Sequence, residues 1–245
     1  MSPNLFAEEA KKHLSRLFEA NQTLISELER RLVTDVTQGK SLFVFGSGHS
    51  SIFTLELYHR AGGASFVVPI FVPELIPSVG PHRVRKAERD AQTVQGLLAK
   101  TGAKPGEMIW IASQSGINGV TVDLALQAKT LGMTTVAFTS RVHSSSVQSR
   151  HPSGQRLFEV CDHVMDLGGY VGDASIATPD GKTRVGPLSS LGMIFLGQSV
   201  ISSACLRLEK QGVNCVYTSV NTPEGERRNV ELEKTASVRD PLLRG

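Results

Sequence analysis

Apolar positions along this chain follow two different periods. From residue 4 to 38 they recur every three or four residues: Leu14, Leu17, Phe18, Leu24, Ile25, Leu28, Leu32 and Val36 form one stripe, with Asn21 set into it. That spacing predicts a single helix of about nine turns. Past Gly39, short β-branched and aromatic runs alternate with helical stretches. Strands are expected at 41–45, 65–70, 107–112, 133–139, 162–167 and 213–218. Helices are expected at 50–61, 86–101, 118–131 and 188–211, with a short tail helix near 226–236. Gly102, Gly132 and Gly212 stand where left-handed caps would end three of those helices. The alternation points to one α/β domain with a mainly parallel sheet covered on both faces. Residues 71–85, stiffened by Pro73, Pro77 and Pro81, and residues 168–187 show neither period and are expected as loops. The first helix is longer than one sheet requires. Its excess apolar length either packs on a second subunit or wraps its own domain.

Two polar breaks in the pattern carry the chemistry. The run Ile109-Trp110-Ile111-Ala112 stops at Ser113-Gln114-Ser115-Gly116, and the helical pattern resumes near Asn118. A buried strand feeding such a loop presents hydroxyls, an amide and backbone N–H groups at a positive helix end, which suits a phosphate or carboxylate. Serines at such a point also serve as plain helix caps. The strand at 41–45 runs in the same way into Gly46-Ser47-Gly48-His49-Ser50-Ser51, where two glycines let amides turn toward a ligand. No third glycine stands in dinucleotide register, because position 51 is Ser, and no acidic residue ends the stretch at 66–70. Without Gly-Lys-Ser/Thr there is no nucleotide P-loop. In a parallel sheet both loops open on one edge. A small phosphorylated ligand is the reading left standing.

Composition narrows the class further. A 245-residue chain that is 40% hydrophobic and 20% charged has material for a sizeable core. A net charge of +3 is too small to imply nucleic acid. Arg83, Arg85, Lys86 and Arg89 cluster, either as a solvated face or as an anion contact. Cys161, Cys205 and Cys215 are odd in number, lack Cys-x-x-Cys spacing and lie in apolar surroundings, as buried thiols do in a reducing compartment. The first residues carry acids and no apolar signal region, and no apolar run is expected to reach membrane-spanning length. A cytoplasmic protein without nucleic-acid or membrane partners is expected. No His/Cys cluster has zinc spacing, so neither metal nor cofactor is called for.

Together these residues resemble the SIS (sugar isomerase) domain superfamily. Ser113-Gln114-Ser115-Gly116 is identical to the signature of the isomerase domain of glucosamine-6-phosphate synthase, and Gly46-Ser47-Gly48-His49-Ser50 is similar to the first phosphosugar loop of phosphoheptose isomerases. Closer still are stand-alone, functionally uncharacterised bacterial SIS proteins. They share Tyr58-x-Arg60-Ala61-Gly62-Gly63, His151-Pro152-Ser153-Gly154, Gly172-Asp173 and Gly186-Pro187-x-Ser189. The resemblance spans nearly the whole chain. It implies a three-layer α/β sandwich with a five-stranded, mainly parallel, flavodoxin-like sheet, in which residues 1–38 pack on the domain and a partner subunit and residues 39–245 form the phosphosugar-binding unit. It also implies a homodimer or homotetramer that binds a phosphorylated monosaccharide. Ser47, Ser113, Gln114, Ser115 and Asn118 match phosphate-binding positions, with Asn118 where many relatives have Thr. The candidate binding set adds Gly46, Gly48, Ser50, Ser51, Gly116 and Ser189. One departure stands out: Asn221-Thr-Pro223-Glu224-Gly225-Glu226-Arg227-Arg228-Asn229 lacks the acid–His pair of the stand-alone group.

Aldose–ketose isomerisation through an enediol needs a base near C1/C2 and a group that moves protons between oxygens. Glu56, amid apolar neighbours on the helix behind the first loop, is the first candidate base, although it also suits an i,i+4 ion pair with Arg60. His49 on the loop is a candidate proton donor, and Glu88 a further acid that would also suit a helix start. Glu224 and Glu226 come next; His59 reads as a helix-surface or subunit contact. No Gly-x-Ser-x-Gly elbow is present, which removes a serine hydrolase of that type. Two functional classes follow. One is an enzyme, a sugar-phosphate isomerase or a phosphosugar etherase or lyase. The other is a non-catalytic phosphosugar sensor, and with no helix-turn-helix pattern it would act through a protein partner.

Overall fold

The computed structural model describes residues 4–236 and 238–243. Helix α1 (Leu5–Thr37) precedes β1 (Leu42–Gly46), α2 (Ser51–Leu57), β2 (Val67–Ile70), α3 (Pro81–Arg89), α4 (Leu97–Thr101), β3 (Met108–Ala112) and α5 (Gly119–Leu131). Then come β4 (Thr134–Thr139), α6 (Arg141–Ser145), α7 (Leu157–Val160), β5 (His163–Asp166), β6 (Ala174–Ala177), β7 (Arg184–Pro187), α8 (Ser189–Lys210) and α9 (Pro223–Ala236). Strands β1 to β5 make one sheet in the order β2-β1-β3-β4-β5, with every pair parallel. This is the flavodoxin-like order, whose chain reversal falls between β1 and β3.

Alternation along the strands builds two cores. Leu42, Val44, Met108, Trp110, Val136 and Phe138 face one side, where Phe53 and Leu57 of α2 and Met193, Leu196 and Val200 of α8 pack with α1. Phe43, Phe45, Ile109, Ile111 and Ala137 face the other, against Leu98, Val120, Leu124 and Leu157. Both faces of the sheet are dry, which explains why its strands read as apolar runs and not as alternating ones. Helix α1 lies along α8 and its own sheet: Leu17, Ile25, Leu28 and Leu32 are buried, and Asn21 exchanges hydrogen bonds with both backbone groups of Asp166 at 3.0 Å. The amide in the apolar stripe is therefore a staple to the edge strand β5.

Several elements depart from expectation. The segment at 213–218 does not join the sheet. It is extended as expected and pairs antiparallel with residues 62–65 through one bridge, Ala64–Val216, outside the five-stranded sheet. The helix expected at 86–101 starts earlier, on Pro81, and breaks at Asp90, whose carboxylate accepts the Gln92 amide at 3.0 Å; Gly96 at φ +67° then starts α4. Helix α2 stops at Leu57 because Tyr58 is extended. The expected loop at 168–187 contains the antiparallel pair β6–β7. Helix α8 also corrects an expectation: by length and composition it could cross a membrane, yet half of that window is buried inside the domain, as in a core helix.

Near the base of β3, Glu107 is buried and takes two contacts from Arg239, at 2.5 and 2.7 Å, together with the Ser41 and Lys104 amides. Arg239→Ala would leave a buried carboxylate without its cation, which costs about 3 kcal/mol. A urea titration should show that loss, whereas the exposed Arg227→Ala should move the midpoint little.

Candidate functional site

Pairing of Gly46 with Ala112 ends β1 and β3 at one level, so Ser47 and Ser113 leave adjacent strands side by side. At this reversal point the following chains part to opposite faces and open a crevice. Its volume is about 760 Å³, and its walls come from 47–50, from 113–115 with Asn118, from Pro77, Pro81, Val84, Arg85 and Glu88, and from His143, Gly172, Asp173, Pro187, Ser189 and Ser190.

The first loop folds tightly because Gly46 has no side chain: a Cβ there would lie 2.1 Å from the Ser50 carbonyl oxygen. Gly48, at φ +58°, brings the backbone against Glu88, whose Oε1 would lie 2.8 Å from a Cβ at 48. Ser47 donates its hydroxyl to that same oxygen at 2.9 Å. The second loop turns at Gly116, φ +60°, where the Ser113 hydroxyl accepts the Gly116 amide at 3.1 Å. Asn118 precedes α5 without capping it by its side chain; its Oδ1 accepts Arg150 Nη1 at 2.9 Å. Gln114 Oε1, also on the cleft wall, is buried and has no partner among the described residues. A side-chain rotation would bring such an unpaired acceptor to a ligand donor in the cleft.

Glu88 arrives from α3, whose end comes close to α5 because Gly119 leaves room for the Arg89 carbonyl, 2.6 Å from where a Cβ would sit. Burial pushes the Glu88 carboxyl above the usual carboxylate range, against the opposing pull of the Ser47 hydrogen bond and of Arg150, Arg89 and His49. A half-buried carboxyl raised in this way holds a proton more strongly than an exposed glutamate and is a candidate general base.

The expected residues divide. Ser47, Gly48, His49, Ser50, Glu88, Ser113, Gln114, Ser115, Asn118 and Ser189 line the cleft. Gly46, Gly116 and the buried Ser51 do not line it; the two glycines shape the loops from behind. Glu56 is likewise absent from the lining, and its carboxylate pairs with Arg60 one turn on, the i,i+4 contact its spacing also allowed. Ser189 reaches the cleft with its polar groups already engaged: its amide and hydroxyl donate to Asp173 at 2.8 and 2.7 Å. Asp173, at φ +71°, thereby caps α8 and holds the strand pair β6–β7 to the cleft. His143 carried no motif in the sequence. Here it lines the cleft, and its Nδ1 accepts the Gly172 amide at 3.1 Å, which leaves the proton of a neutral ring on Nε2. Among the described residues no cluster of His, Cys, Asp and Glu could hold a metal ion.

Residues 5–140 match the model of the SIS domain family. The chain belongs to that family. This SIS domain protein is 34% identical over 230 residues to a UPF0309 protein of Shouchella clausii, covering 91% of this chain and 94% of the relative. It is 32% identical over 231 residues to a UPF0309 protein of Oceanobacillus iheyensis, with coverage of 91% and 94%. A phosphoheptose isomerase from Francisella tularensis superposes with a TM-score of 0.48 at 14% identity, over 86% of this chain and all of that one, an overlay too loose to transfer residue roles.

Proposed function

We propose that this SIS domain protein binds a phosphorylated monosaccharide and isomerises it between aldose and ketose through an enediol. One juxtaposition carries the reading: two hydroxyl-rich loops leave adjacent strand ends and face a carboxyl whose proton affinity burial has raised. The phosphate rests on Ser113–Asn118 at the start of α5, with Arg150 behind Asn118. The sugar lies toward Gly46–Ser50, and Glu88 takes the proton from carbon. His49 and the Nε2–H of His143 serve the substrate oxygens. Gln114 Oε1 accepts from a sugar hydroxyl.

Ser115→Ala removes one hydroxyl donor to an anion and should weaken sugar-phosphate binding about tenfold with the fold intact. Calorimetry with phosphorylated and unphosphorylated sugars checks it; equal affinity for both would sink the phosphate assignment. Proton NMR in deuterium oxide with hexose, pentose, heptose and amino-sugar phosphates tests the chemistry, because deuterium entering at C1 or C2 reports an enediol even at equilibrium. Tight binding of one sugar with no exchange or product would make the protein a sensor.

We also propose that it works as a homo-oligomer. Phe18 is 40% exposed beside a groove of about 550 Å³ that Ile25, Phe195 and a row of small polar residues of α8 line between the two long helices. Leu5, Phe6, Leu191 and Leu206 add further exposed apolar surface on α1 and α8. Sedimentation at micromolar concentration should give a dimer or tetramer, and Phe18→Glu should shift it toward monomer; a strict monomer would remove the interface.

A further inference from the structure

Helix α3 is strongly basic, and of its basic side chains Arg85 lines the cleft. His82, Arg83, Arg85, Lys86 and Arg89 all lie within its nine residues and are all exposed. Their surroundings differ by face. On one side Arg83 and Lys86 border a depression that also holds Glu74 and Asp90, so the charges there are balanced. On the other, a depression of about 460 Å³ is lined only by His82, Arg85, Lys86 and Arg89. Arg85 belongs to this basic depression and to the cleft at once. Its own partners are neutral: Nε donates to the Pro81 carbonyl at 3.2 Å and Nη2 contacts His82 Nδ1 at 3.0 Å. Among the described residues neither Arg85, Lys86 nor Arg89 forms a salt bridge, whereas Arg31, Lys40, Lys129, Arg156, Arg207 and Arg239 each pair with a carboxylate. Cations held side by side repel each other; Glu88 beside Arg89, and Glu74 and Asp90 beside Lys86, offset part of that repulsion, and an anion shared among the three cations removes more of it.

We infer that the ligand of this cleft carries a second anionic group, a phosphate or a carboxylate at the end of the sugar away from the first phosphate, and that this group is held by Arg85, Lys86 and Arg89. The inference rests on the phosphosugar reading and deepens it. The first phosphate occupies the Ser113–Asn118 loop on the far wall, and the sugar crosses toward α3. Its distal group then meets Arg85, with Lys86 and Arg89 completing the contact. Arg guanidinium matches the planar, bidentate geometry of either anion.

The test compares matched probes by calorimetry: fructose 6-phosphate with fructose 1,6-bisphosphate, ribulose 5-phosphate with ribulose 1,5-bisphosphate, and glucose 6-phosphate with 6-phosphogluconate. At least one doubly anionic member should bind about tenfold tighter than its partner, as one added charge-assisted contact implies. In the double variant Lys86→Gln/Arg89→Gln that ratio should fall to about twofold. Lys12→Gln/Arg30→Gln removes the same charge from exposed positions on α1 and should leave the ratio as it was. Equal affinity within every pair overturns the second anion site and leaves the phosphosugar reading standing. A preference that survives loss of Lys86 and Arg89 overturns it too, because the second anion then binds elsewhere. No binding by any member of the three pairs overturns both readings.

Discussion

Glu88→Gln is expected to reduce substrate deuterium exchange by about 10²–10⁴-fold, the range for losing a positioned general base. The same variant should retain sugar-phosphate binding, because a glutamine oxygen can still accept the Ser47 hydroxyl. Glu56→Gln, which alters only the Arg60 pair, should exchange at the wild-type rate. Undiminished exchange in Glu88→Gln would move the base to another residue. The raised Glu88 pKa adds a stability signature whose sign is fixed. A carboxyl raised in the folded state contributes stability below its unfolded pKa and loses that contribution as pH rises through its folded pKa. At neutral pH the buried charge therefore weighs against folding. Glu88→Gln should raise the urea midpoint at pH 7, and its advantage should fade as the pH falls and the native carboxyl takes up its proton. A variant less stable than wild type at pH 7 would contradict the burial that sets this pKa.

Gly46→Ala should damage both fold and site. The added methyl meets the Ser50 carbonyl at 2.1 Å, a backbone atom that cannot move without displacing the 47–50 turn. Overpacking of this kind costs about 3 kcal/mol, and the displaced turn takes Ser47 from Glu88. Calorimetry should show sugar-phosphate binding lost at temperatures where the variant is still folded. Gly39→Ala makes a suitable comparison: its φ of +73° is strained for alanine, but nothing lies within 4 Å of the added carbon. It should cost only about 1–2 kcal/mol and leave binding unchanged. If both substitutions have equal effects on binding, the close approach at Gly46 is not what shapes the loop.

The residue order by itself determined the parts of this protein that depend on local physics. Apolar runs buried on both faces gave β1 to β5 within one or two residues at most ends, and helical periodicity gave α1, α5 and α8 almost whole. Loops such as Ser113–Gly116 and Gly46–Ser50 were legible because small residues at a strand-to-helix junction leave few backbone solutions. Periodicity misled where two signals compete over a short span, as at 86–101, where Asp90 and Gly96 outweighed a helical pattern. It is silent about pairing partners, so 213–218 is legible as extended but not as the partner of 62–65, and the pair β6–β7 reads as loop.

Tertiary structure alone decided which charged groups face the cleft. Glu56 is close to the first loop in sequence, yet it pairs with Arg60 outside the cleft, because α2 buries Phe53 and Leu57 against the sheet. Glu88 is 41 residues from Ser47 and reaches it only because α3 crosses over the strand ends. His143 comes from the β4–β5 connection and Asp173 from the β5–β6 connection, and Arg150, from the first of these, reaches the cleft only through Asn118. Local order follows from neighbours along the backbone, whereas a binding site is assembled from segments that meet only once the sheet has set their positions.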